Sequence, residues 1–425
     1  MKIIEYFLQI TKIPHCSHNS EKLKKFLIDF AKSRGYGVWT DEFGNILAKL
    51  LNKNPIISLQ AHYDMVCVAE APNIKVVIKN GKIFAQNSSL GADNAIAIAM
   101  MMDLMDKRKN CEFLFTADEE VGLVGAKALS FNLESRYMLN LDSEKDGEVY
   151  IGCAGGVDIS ARKRYKLIES ENSFYEIEIS KLPGGHSGVD IDKKIPNAIK
   201  IFASFCKNKE IKIAKLKGGE RINSIPSNLK AVVSSLEVLK DSEHVKVKPI
   251  ENRYKVIAES SKILEILNEF THGVIEYDKE LKIPYISANL ALAELKNDEF
   301  VIETSARAMN ESGLQKIEKE ITDFFYSRNY KTKSMDKYPA WKPEVNDFSK
   351  LVYKEMKKIF RKCEFKAIHA GLECAVISSI YPDIKIASIG PNIRFPHSLN
   401  EEVEIVSIEK IYEVLQRVID EVEVI

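Results

Sequence analysis

The sequence predicts an α/β protein in which one domain is interrupted by a second, inserted α+β domain. Over about the first 155 residues, short apolar runs of strand length alternate with helix-length segments. After residue 157 the pattern becomes strand-rich and more highly charged, and the α/β alternation returns after the proline-rich segment 338–343. We therefore expect one domain formed by residues 1–157 and 336–425, and an inserted domain formed by residues 158–335.

The elements of the larger domain are predicted from apolar periodicity and segment length. Apolar residues recur at helical spacing over 20–32, where Asn19 or Ser20 is a suitable cap. Further helices are predicted at 95–105, 123–130, 347–360 and 408–422, and short buried strands at 56–59, 113–115, 138–141 and 384–389. This alternation is typical of a sheet that is covered by helices on both faces.

The inserted segment has a different pattern. Its short apolar runs are strand-like, and helices are predicted near 196–207 and 259–270. Two strand–helix–strand units on one antiparallel sheet fit this pattern.

Composition and charge argue against several classes of protein. Lys+Arg and Asp+Glu both total 61 among 425 residues, so no overall field favours nucleic acid or an anionic membrane. The longest apolar runs, such as 95–102, are too short to span a bilayer. Glu5 lies where a signal peptide needs an apolar centre, which predicts a cytoplasmic protein.

The seven cysteines are odd in number, widely spread, and include no Cys-x-x-Cys pair. This pattern argues against a disulfide framework and against a thiolate zinc site. Most of the cysteines are therefore expected to be small core residues. Any bound metal is then expected to have nitrogen and oxygen ligands.

Histidine and carboxylate side chains follow the ends of the predicted strands. They are, in chain order, His62, Asp64, Asp93, Glu119, Glu120, Asp142 and His397. In an open α/β sheet, ligand sites gather at the carboxyl edge of the strands. A two-metal hydrolase needs a carboxylate between the ions, further ligands for each ion, and a free base, and this set matches in number and type. Asp64 is placed to accept the second ring proton of His62.

Each of these residues alone also fits an ordinary structural role. A His-x-Asp sequence is common, Asp-Glu-Glu is often a solvated turn, and Asp93 fits a helix cap. Five strand ends that all carry hard metal ligands on an uncharged protein favour the metal site. The remaining histidines are expected at a helix start (His15, His18), at exposed positions (His244, His272) or as structural support (His369).

Several motifs together resemble a known peptidase family. Those with metal-ligand residue types are His62-Tyr-Asp64-Met-Val, Leu90-Gly-Ala-Asp93-Asn, Thr116-Ala-Asp-Glu119-Glu120-Val-Gly, Leu141-Asp142-Ser-Glu and Phe395-Pro-His397-Ser. The others are Gly152-Cys-Ala-Gly-Gly156, Leu182-Pro-Gly-Gly-His186-Ser-Gly188, His369-Ala-Gly-Leu-Glu-Cys374 and Ser388-Ile-Gly-Pro391. The series is similar to the co-catalytic zinc peptidases. Within them it resembles, over nearly its full length, the aminoacyl-histidine dipeptidases (Xaa-His dipeptidase, peptidase D, carnosinase-like) of peptidase family M20.

The resemblance implies two Zn²⁺ ions per chain, for which Co²⁺ and Mn²⁺ are alternatives with the same ligand types. It assigns the ligands as Asp93 between the ions, His62 and Asp142 on one ion, and Glu120 and His397 on the other. Glu119 matches the general base that takes a proton from the attacking water, and Asp64 matches the partner of His62. A cis peptide bond is implied between Asp93 and Asn94.

The resemblance also implies the roles of the two domains and the substrate. The larger domain is expected to be a mixed-sheet di-zinc catalytic domain, and the insertion a lid. His186 matches a lid residue that polarises the scissile carbonyl, and the positions that match substrate contacts are Asn223, Arg307 and the backbone of Gly371. The expected substrate is a dipeptide, of the Xaa-His type or of a broader range. A homodimer is expected by analogy.

Two other functions stay open from the sequence. A related metal-dependent amidase, such as a deacylase of N-acyl amino acids, would use the same metals without requiring a free α-amino group. A metal-free relative could serve as an interaction or scaffold protein, although all five ligand positions are intact here. Comparing a dipeptide with its N-acetylated form tests the first alternative, and metal analysis tests the second.

Overall fold

The computed structural model describes residues 2–423. Met1, Val424 and Ile425, which belong to the predicted larger domain, lie outside the described residues. The helices are α1 (Lys2–Ile10), α2 (Glu21–Ser33), α3 (Ala92–Asp106), α4 (Val124–Lys127), α5 (Ala198–Cys206), α6 (Ser260–Glu269), α7 (Glu311–Tyr326), α8 (Asp347–Ile359), α9 (Glu373–Ile380) and α10 (Ile405–Val422). The strands are β1 (Tyr36–Thr40), β2 (Ile46–Leu50), β3 (Ile57–His62), β4 (Lys75–Lys79), β5 (Lys82–Gln86), β6 (Glu112–Thr116), β7 (Tyr137–Asn140), β8 (Glu148–Cys153), β9 (Gly155–Arg164), β10 (Leu167–Ile168), β11 (Ser173–Ile179), β12 (Gly185–His186), β13 (Ile211–Gly218), β14 (Ser224–Ile225), β15 (Leu229–Ser235), β16 (Val245–Ile250), β17 (Val256–Ile257), β18 (Gly273–Asp278), β19 (Ile283–Lys296), β20 (Glu299–Ala308), β21 (Lys331–Tyr338), β22 (Glu364–Ile368), β23 (Lys385–Ser388), β24 (Ile393–Arg394) and β25 (Glu402–Glu404).

The chain divides into two compact units. As far as it is described, the first unit comprises Met1–Cys153, Trp341–Ala367 and Leu372–Ile425. The second unit comprises Ala154–Ala340 and Ile368–Gly371. Their roles as a catalytic domain and a lid stay predictions.

The first unit is built on an eight-stranded mixed sheet with the order β1-β2-β6-β3-β7-β23-β8-β22. Its middle strands β6, β3, β7 and β23 are parallel, so their carboxyl ends meet at one edge. Every residue of β3, β6 and β7 is buried, as expected for strands that are covered on both faces. The structure confirms the predicted α/β class with a mixed sheet.

Helix α3 forms the centre of the first unit's hydrophobic core. All residues from Ala92 to Met105 are buried, and helix α1 packs against this helix. A helix that is apolar on all sides belongs in the interior of a large domain, because it has no face to present to water. The core therefore holds α3 in place, and Asp93 lies at the start of this helix.

Most predicted helices and strands of the first unit are confirmed with small shifts at their ends. The helix predicted over 20–32 is α2, with Ser20 at its N-cap position. The helix predicted over 123–130 is wrong in length, because only α4 (Val124–Lys127) is helical. It cannot begin earlier, since Leu123 has a φ of 60° in the left-handed region.

The second unit is built on a nine-stranded sheet. The order is β16-β11-β15-β13-β19-β20-β9-β21, with β18 also paired to β19, and each described pair is antiparallel. Helices α5 and α6 pack together, and α7 packs on β9 and β20. The helices predicted at 196–207 and 259–270 are confirmed as α5 and α6, on a single antiparallel sheet as expected.

One pair of cysteines forms a disulfide, although the cysteine pattern argued against a disulfide framework. Cys16 and Cys67 form a disulfide with Cα atoms 5.5 Å apart. They meet because the segment after α1 lies against the loop after β3, where Met65 N–H donates to the carbonyl of His15. Four of the other cysteines are buried as predicted, and Cys363 is half-buried.

Two histidines also differ from expectation. His15, which was expected to cap or solvate a helix start, is buried, with Nδ1 2.6 Å from the carbonyl oxygen of Ile13. His272 is half-buried rather than exposed, and its Nδ1 accepts the N–H of Leu290 at 3.3 Å. His369 is buried, with Nε2 2.7 Å from the hydroxyl of Ser287, which fits the expected supporting role. The charged residues near His272 in the sequence therefore predicted its exposure wrongly.

Candidate metal centre

His62 is the last residue of β3 and lies at the edge where the parallel strands end. Its side chain is almost fully buried. Its Nε2 lies 3.1 Å from Oδ1 of Asp93 and 3.4 Å from Oδ1 of Asp142. Its Nδ1 lies 3.0 Å from the backbone carbonyl of Asp64 and 3.5 Å from that residue's carboxylate. The backbone carbonyl and the carboxylate of Asp64 can thus hold the imidazole ring so that its Nε2 faces the carboxylates of Asp93 and Asp142.

The carboxylate of Asp64 has a second task in this geometry. It accepts the backbone N–H of Glu119 at 2.9 Å and that of Glu120 at 3.4 Å. It also accepts the hydroxyl of Ser17 at 2.7 Å. Asp64 therefore links the end of β3 to the turn after β6. Burial opposes its charge, but its bonds to His62, Ser17 and Glu119 lower the pKa of Asp64 overall.

Asp93 lies at the start of α3 with both carboxylate oxygens facing imidazoles. Oδ1 is 3.1 Å from Nε2 of His62, and Oδ2 is 3.1 Å from Nε2 of His397. The peptide bond between Asp93 and Asn94 is cis, as the resemblance implied. Gly91, which precedes the helix, has a φ of 71°, a left-handed conformation that glycine adopts without strain. This geometry suits a carboxylate that is shared by two ions.

Glu119 and Glu120 lie on the turn that follows β6. Asp118 before them has a φ of 50°, and its carboxylate accepts the backbone N–H of His18 at 2.6 Å. Oε1 of Glu120 lies 2.7 Å from Nε2 of His397. The turn thus places one glutamate at His397 and the other close to His62.

The last two predicted ligands come from two further loops. Asp142 follows β7, and its Oδ1 accepts a hydrogen bond from the side-chain amide of Asn94 at 2.7 Å. His397 follows β24 and has a φ of 56°, and its side chain is 44% exposed. It is the most accessible of the five predicted ligands, because the other four side chains are at most 10% exposed.

These side chains form three groups that are suited to a metal ion. They are His62 with Asp93 and Asp142, Asp93 with Glu120 and His397, and His62 with Glu119 and Glu120. Within each group the donor atoms lie within 4.8 Å of one another. The first two groups share Asp93 and contain all five predicted ligands. Nitrogen and oxygen donors of this kind suit Zn²⁺, Co²⁺ or Mn²⁺, so the donor set fits two ions.

The electrostatics of the protein groups support the same conclusion. Burial raises the pKa of Glu119 well above its usual range and that of Asp142 to about 6. Although burial works against it, hydrogen bonds to Asp93 and Glu120 raise the pKa of His397 to about 11. Burial thus disfavours the charged forms of Glu119 and Asp142 in the protein alone, and bound divalent cations would favour those charged forms.

Two residues that sequence reasoning missed support this cluster. Ser17 holds Asp64, and Glu401 binds the backbone at the start of α3. Glu401 lies four residues after His397, and a carboxylate so close to a metal-ligand motif was a usable signal. Ser17 gave no such signal, because only the fold brings it to Asp64.

The other four predicted site residues belong to the second unit. His186 ends the short strand β12, which pairs with β14, and the carbonyl of Asn223 accepts the N–H of Ser187 at 2.9 Å. Asn223 itself is exposed. Gly371 lies against the ring of Tyr338, where an added Cβ would come within 2.8 Å of the ring. His186 and Asn223 thus form one neighbourhood.

Arg307 is buried in the second unit, with 8% of its surface exposed. Its guanidinium donates to the hydroxyl of Tyr338, and its Nε has no hydrogen-bond partner. No acidic side chain forms an ion pair with it among residues 2–423. A buried cation without a counter-charge is costly, and such a group is suited to an anionic ligand.

The mixed-sheet fold and the cluster of candidate metal ligands are those of a metal-dependent hydrolase. The sequence pattern of peptidase family M20/M25/M40 matches residues 58–421, and the chain belongs to this family. The prediction of an M20 metallopeptidase is thereby confirmed. In the part of the chain that is described, no helix is both long and apolar enough to cross a membrane.

Individual relatives are similar over nearly the whole chain. The cytosol non-specific dipeptidase of Escherichia coli (strain K12) is 29% identical over 470 aligned residues, which cover 98% of this chain and 97% of the relative. The crystal structure of aminoacylhistidine dipeptidase from Vibrio alginolyticus superposes with a TM-score of 0.82 at 26% identity, covering 99% of this chain and 96% of that one. The aminopeptidase PepT of Bacillus cereus, at 18% identity and a TM-score of 0.62 over 99% and 98%, shares the fold. The predicted resemblance to aminoacyl-histidine dipeptidases is confirmed.

Proposed function

We propose that the protein is a dipeptidase that holds two Zn²⁺ ions per chain and cleaves Xaa-His dipeptides or a broader range of dipeptides. Co²⁺ and Mn²⁺ are alternatives with the same ligands. The observation that carries this proposal is the carboxylate of Asp93, whose two oxygens each lie 3.1 Å from a different imidazole. The names of the relatives from E. coli and V. alginolyticus, a non-specific dipeptidase and an aminoacylhistidine dipeptidase, support the substrate class.

The five ligands divide into two sets around Asp93. His62 and Asp142 would hold one ion, and Glu120 and His397 the other. When bound, the ions would act as Lewis acids toward the peptide carbonyl and the attacking water. Asp64 would keep His62 in its ring orientation and the Glu119–Glu120 turn in place through the contacts described above.

Glu119 is the proposed general base. Among the carboxylates of the three groups of donor atoms, Glu119 is the one that is not assigned as a metal ligand. It lies in one group with His62 and Glu120. It would accept a proton from water as the carbonyl carbon is attacked, and then deliver that proton to the leaving amine. Burial raises the carboxyl pKa of Glu119, which makes this group a stronger base for the exchange.

His186 is the proposed donor to the carbonyl oxygen of the scissile bond. Its Nδ1 accepts the backbone N–H groups of Gly188 at 3.1 Å and Val189 at 3.3 Å. In the neutral ring the proton therefore lies on Nε2, which is then a donor. A donor aimed at the oxygen on which charge develops stabilises the transition state.

Arg307 is the proposed site for the carboxylate of the dipeptide. Its burial and the absence of an acidic partner among residues 2–423 support this role. Asn223 and the backbone of Gly371 are proposed to contact the substrate as well. We further propose that the protein acts in the cytoplasm, as the E. coli relative's name states for that protein, and that it forms a homodimer.

A small substrate panel tests this function. Purified protein with measured metal content is assayed on Ala-His, β-Ala-His and Ala-Ala, and on their N-acetylated forms, with and without a chelator. We expect one cleaved bond per dipeptide, loss of turnover with the chelator, and recovery on adding Zn²⁺, Co²⁺ or Mn²⁺. Preferred cleavage of the N-acetylated compounds would indicate a deacylase, and protein without metal or turnover would indicate a scaffold.

A further inference from the structure

Glu401 makes an unusual set of contacts with the backbone before and at the start of α3. Its Oε2 accepts the N–H of Leu90 at 2.8 Å and of Gly91 at 3.0 Å. Its Oε1 accepts the N–H of Ala92 at 2.7 Å and of Asp93 at 3.3 Å. Glu401 is 2% exposed, so water does not compete for these bonds. One carboxylate thus satisfies four consecutive backbone donors.

The position of these donors explains why a carboxylate is required. The first N–H groups of a helix have no partner within the helix, and they carry the positive end of the helix dipole. Asp93 and Asn94 have φ/ψ values outside the helical range, so regular helical geometry does not fix this segment, although the carbonyl of Gly91 accepts the N–H of Ala95 at 3.2 Å. Gly91 at N-cap offers no side chain as a local cap. The segment that carries Asp93 is therefore fixed by a residue about 300 positions away in sequence.

Glu401 also belongs to the loop that carries another ligand. His397 precedes it by four residues, and the N–H of Glu401 donates to the carbonyl of Ser398 at 3.4 Å. At one end of this loop, the ring of His397 faces Oδ2 of Asp93. At the other end, the carboxylate of Glu401 accepts the backbone N–H of the same aspartate. A shift of either segment would change the distance between His397 and Asp93.

We infer that Glu401 is a positioning residue, which fixes the backbone of residues 90–93 so that Asp93 presents one carboxylate oxygen to each ion. This inference rests on the proposed function, since it concerns the geometry of the same two-metal site. Glu401 contacts neither metal nor substrate in this role. It acts through the backbone of Asp93.

The test compares Glu401→Gln with Glu112→Gln. Glu112 is also fully buried and accepts two backbone N–H groups, of Glu134 at 3.0 Å and Ser135 at 3.1 Å, but it lies at the amino end of β6. The glutamine at 401 would turn an amide group toward two N–H donors. Because groups that orient metal ligands typically contribute 10–100-fold in affinity, we expect Co²⁺ to bind about 10–100-fold more weakly to Glu401→Gln.

Three measurements separate positioning from simple destabilisation: Co²⁺ titration, the visible absorption spectrum of bound Co²⁺, and thermal unfolding. Glu401→Gln should change the spectrum and the affinity, whereas Glu112→Gln should lower only the unfolding temperature. Glu401→Asp keeps the charge at shorter reach, so its Co²⁺ affinity should lie between those of Glu401→Gln and the wild type. It also serves as the test if the glutamine variant does not fold.

The inference is overturned if the folded Glu401 variants bind two Co²⁺ with wild-type affinity and spectrum. A wild-type protein that binds Co²⁺ but cleaves no dipeptide would contradict only the proposed function, because the Co²⁺ comparison would still decide the role of Glu401. A wild-type protein that binds no divalent cation would contradict both.

Discussion

The two units of the protein carry opposite electrostatic imbalances. In the first unit, carboxylates of Asp93, Glu119, Glu120 and Asp142 crowd around two histidines, and burial raises the pKa of Glu119 and Asp142. In the second unit, the buried guanidinium of Arg307 has no acidic partner among residues 2–423. Both arrangements cost stability in the protein alone, because buried charges need partners.

The difference indicates what each unit is suited to bind. Excess carboxylate attracts divalent cations, whereas an excess buried cation attracts an anionic group such as the carboxylate of a peptide. Natural proteins tolerate such local imbalance mainly where a ligand relieves it. Changes that remove one imbalance should therefore affect ligand binding and stability in opposite directions.

The largest expected effect is that of Glu119→Gln. On the proposed mechanism, the variant keeps all five ligands but loses the group that moves the proton, so kcat should fall about 10²–10⁴-fold. Bound metal, measured by elemental analysis, should stay near two ions per chain. Glu70→Gln, an exposed glutamate outside the cluster, is the control and should keep its turnover. Near-normal turnover of Glu119→Gln would contradict the assignment of the base.

Removing the metal should destabilise the protein strongly. If free metal exceeds Kd about 1,000-fold, each bound ion contributes about 4 kcal/mol, and a chelator should lower the Tm by several degrees. Asp93→Asn removes the shared carboxylate, so the chelator should shift its Tm much less. Without metal it should be no more stable than the metal-free wild type, because His62 and His397 lose the charged carboxylate that lies 3.1 Å from each ring. A Tm that is insensitive to the chelator in the wild type would contradict the cation requirement of the cluster.

The sequence was sufficient to predict that these side chains cluster, because several of them lie close to strand ends. His62 ends β3, Glu119 and Glu120 follow β6, and Asp142 follows β7, so strand prediction placed them at one edge. Parallel pairing of these strands then brings the side chains together. Apolar strand patterns are strong local signals, and they depend little on the rest of the chain.

The sequence was insufficient where a contact depends on the folded chain. The disulfide between Cys16 and Cys67, the burial of His15 and the bond from Ser17 to Asp64 all require the segment after α1 to lie on the loop after β3. Nothing in the local pattern of residues 11–19 encodes that placement. Asp64 contacts His62 and also accepts two N–H groups of the turn after β6. This pair of contacts could not be predicted from the sequence for the same reason.

Arg307→Met tests whether the buried guanidinium of the second unit binds the carboxylate of the dipeptide. A hydrogen bond to a charged group typically contributes about 1.5–3 kcal/mol, so KM for dipeptides should rise about 10–100-fold with a smaller change in kcat. The wild type should discriminate by a similar factor against a C-terminally amidated dipeptide, and the variant should not. The free energy of unfolding should not fall, because an unpaired buried charge is removed.

Arg328→Met is the control for this substitution. Arg328 pairs with Glu269 at 2.6 Å and is partly exposed, so its replacement should leave KM unchanged. If Arg307→Met still discriminates between the free and the amidated dipeptide, another group binds the carboxylate.

The smallest expected effect concerns a histidine in the second unit that has no part in the proposed site. Burial, and then the nearby Lys200, lower the pKa of His272 from 6.5 to about 4. The unfolded chain therefore binds a proton that the folded protein excludes, so this histidine reduces stability as the pH falls from 6.5 toward 4. At pH 5 the loss in the free energy of unfolding should be about 1–2 kcal/mol.

His272→Gln should reduce the change in the free energy of urea unfolding between pH 7.5 and 5 by this amount, whereas the exposed control His244→Gln should not. Equal slopes for both variants would show that His272 titrates normally, and the acid sensitivity would then belong to the carboxylate cluster of the first unit.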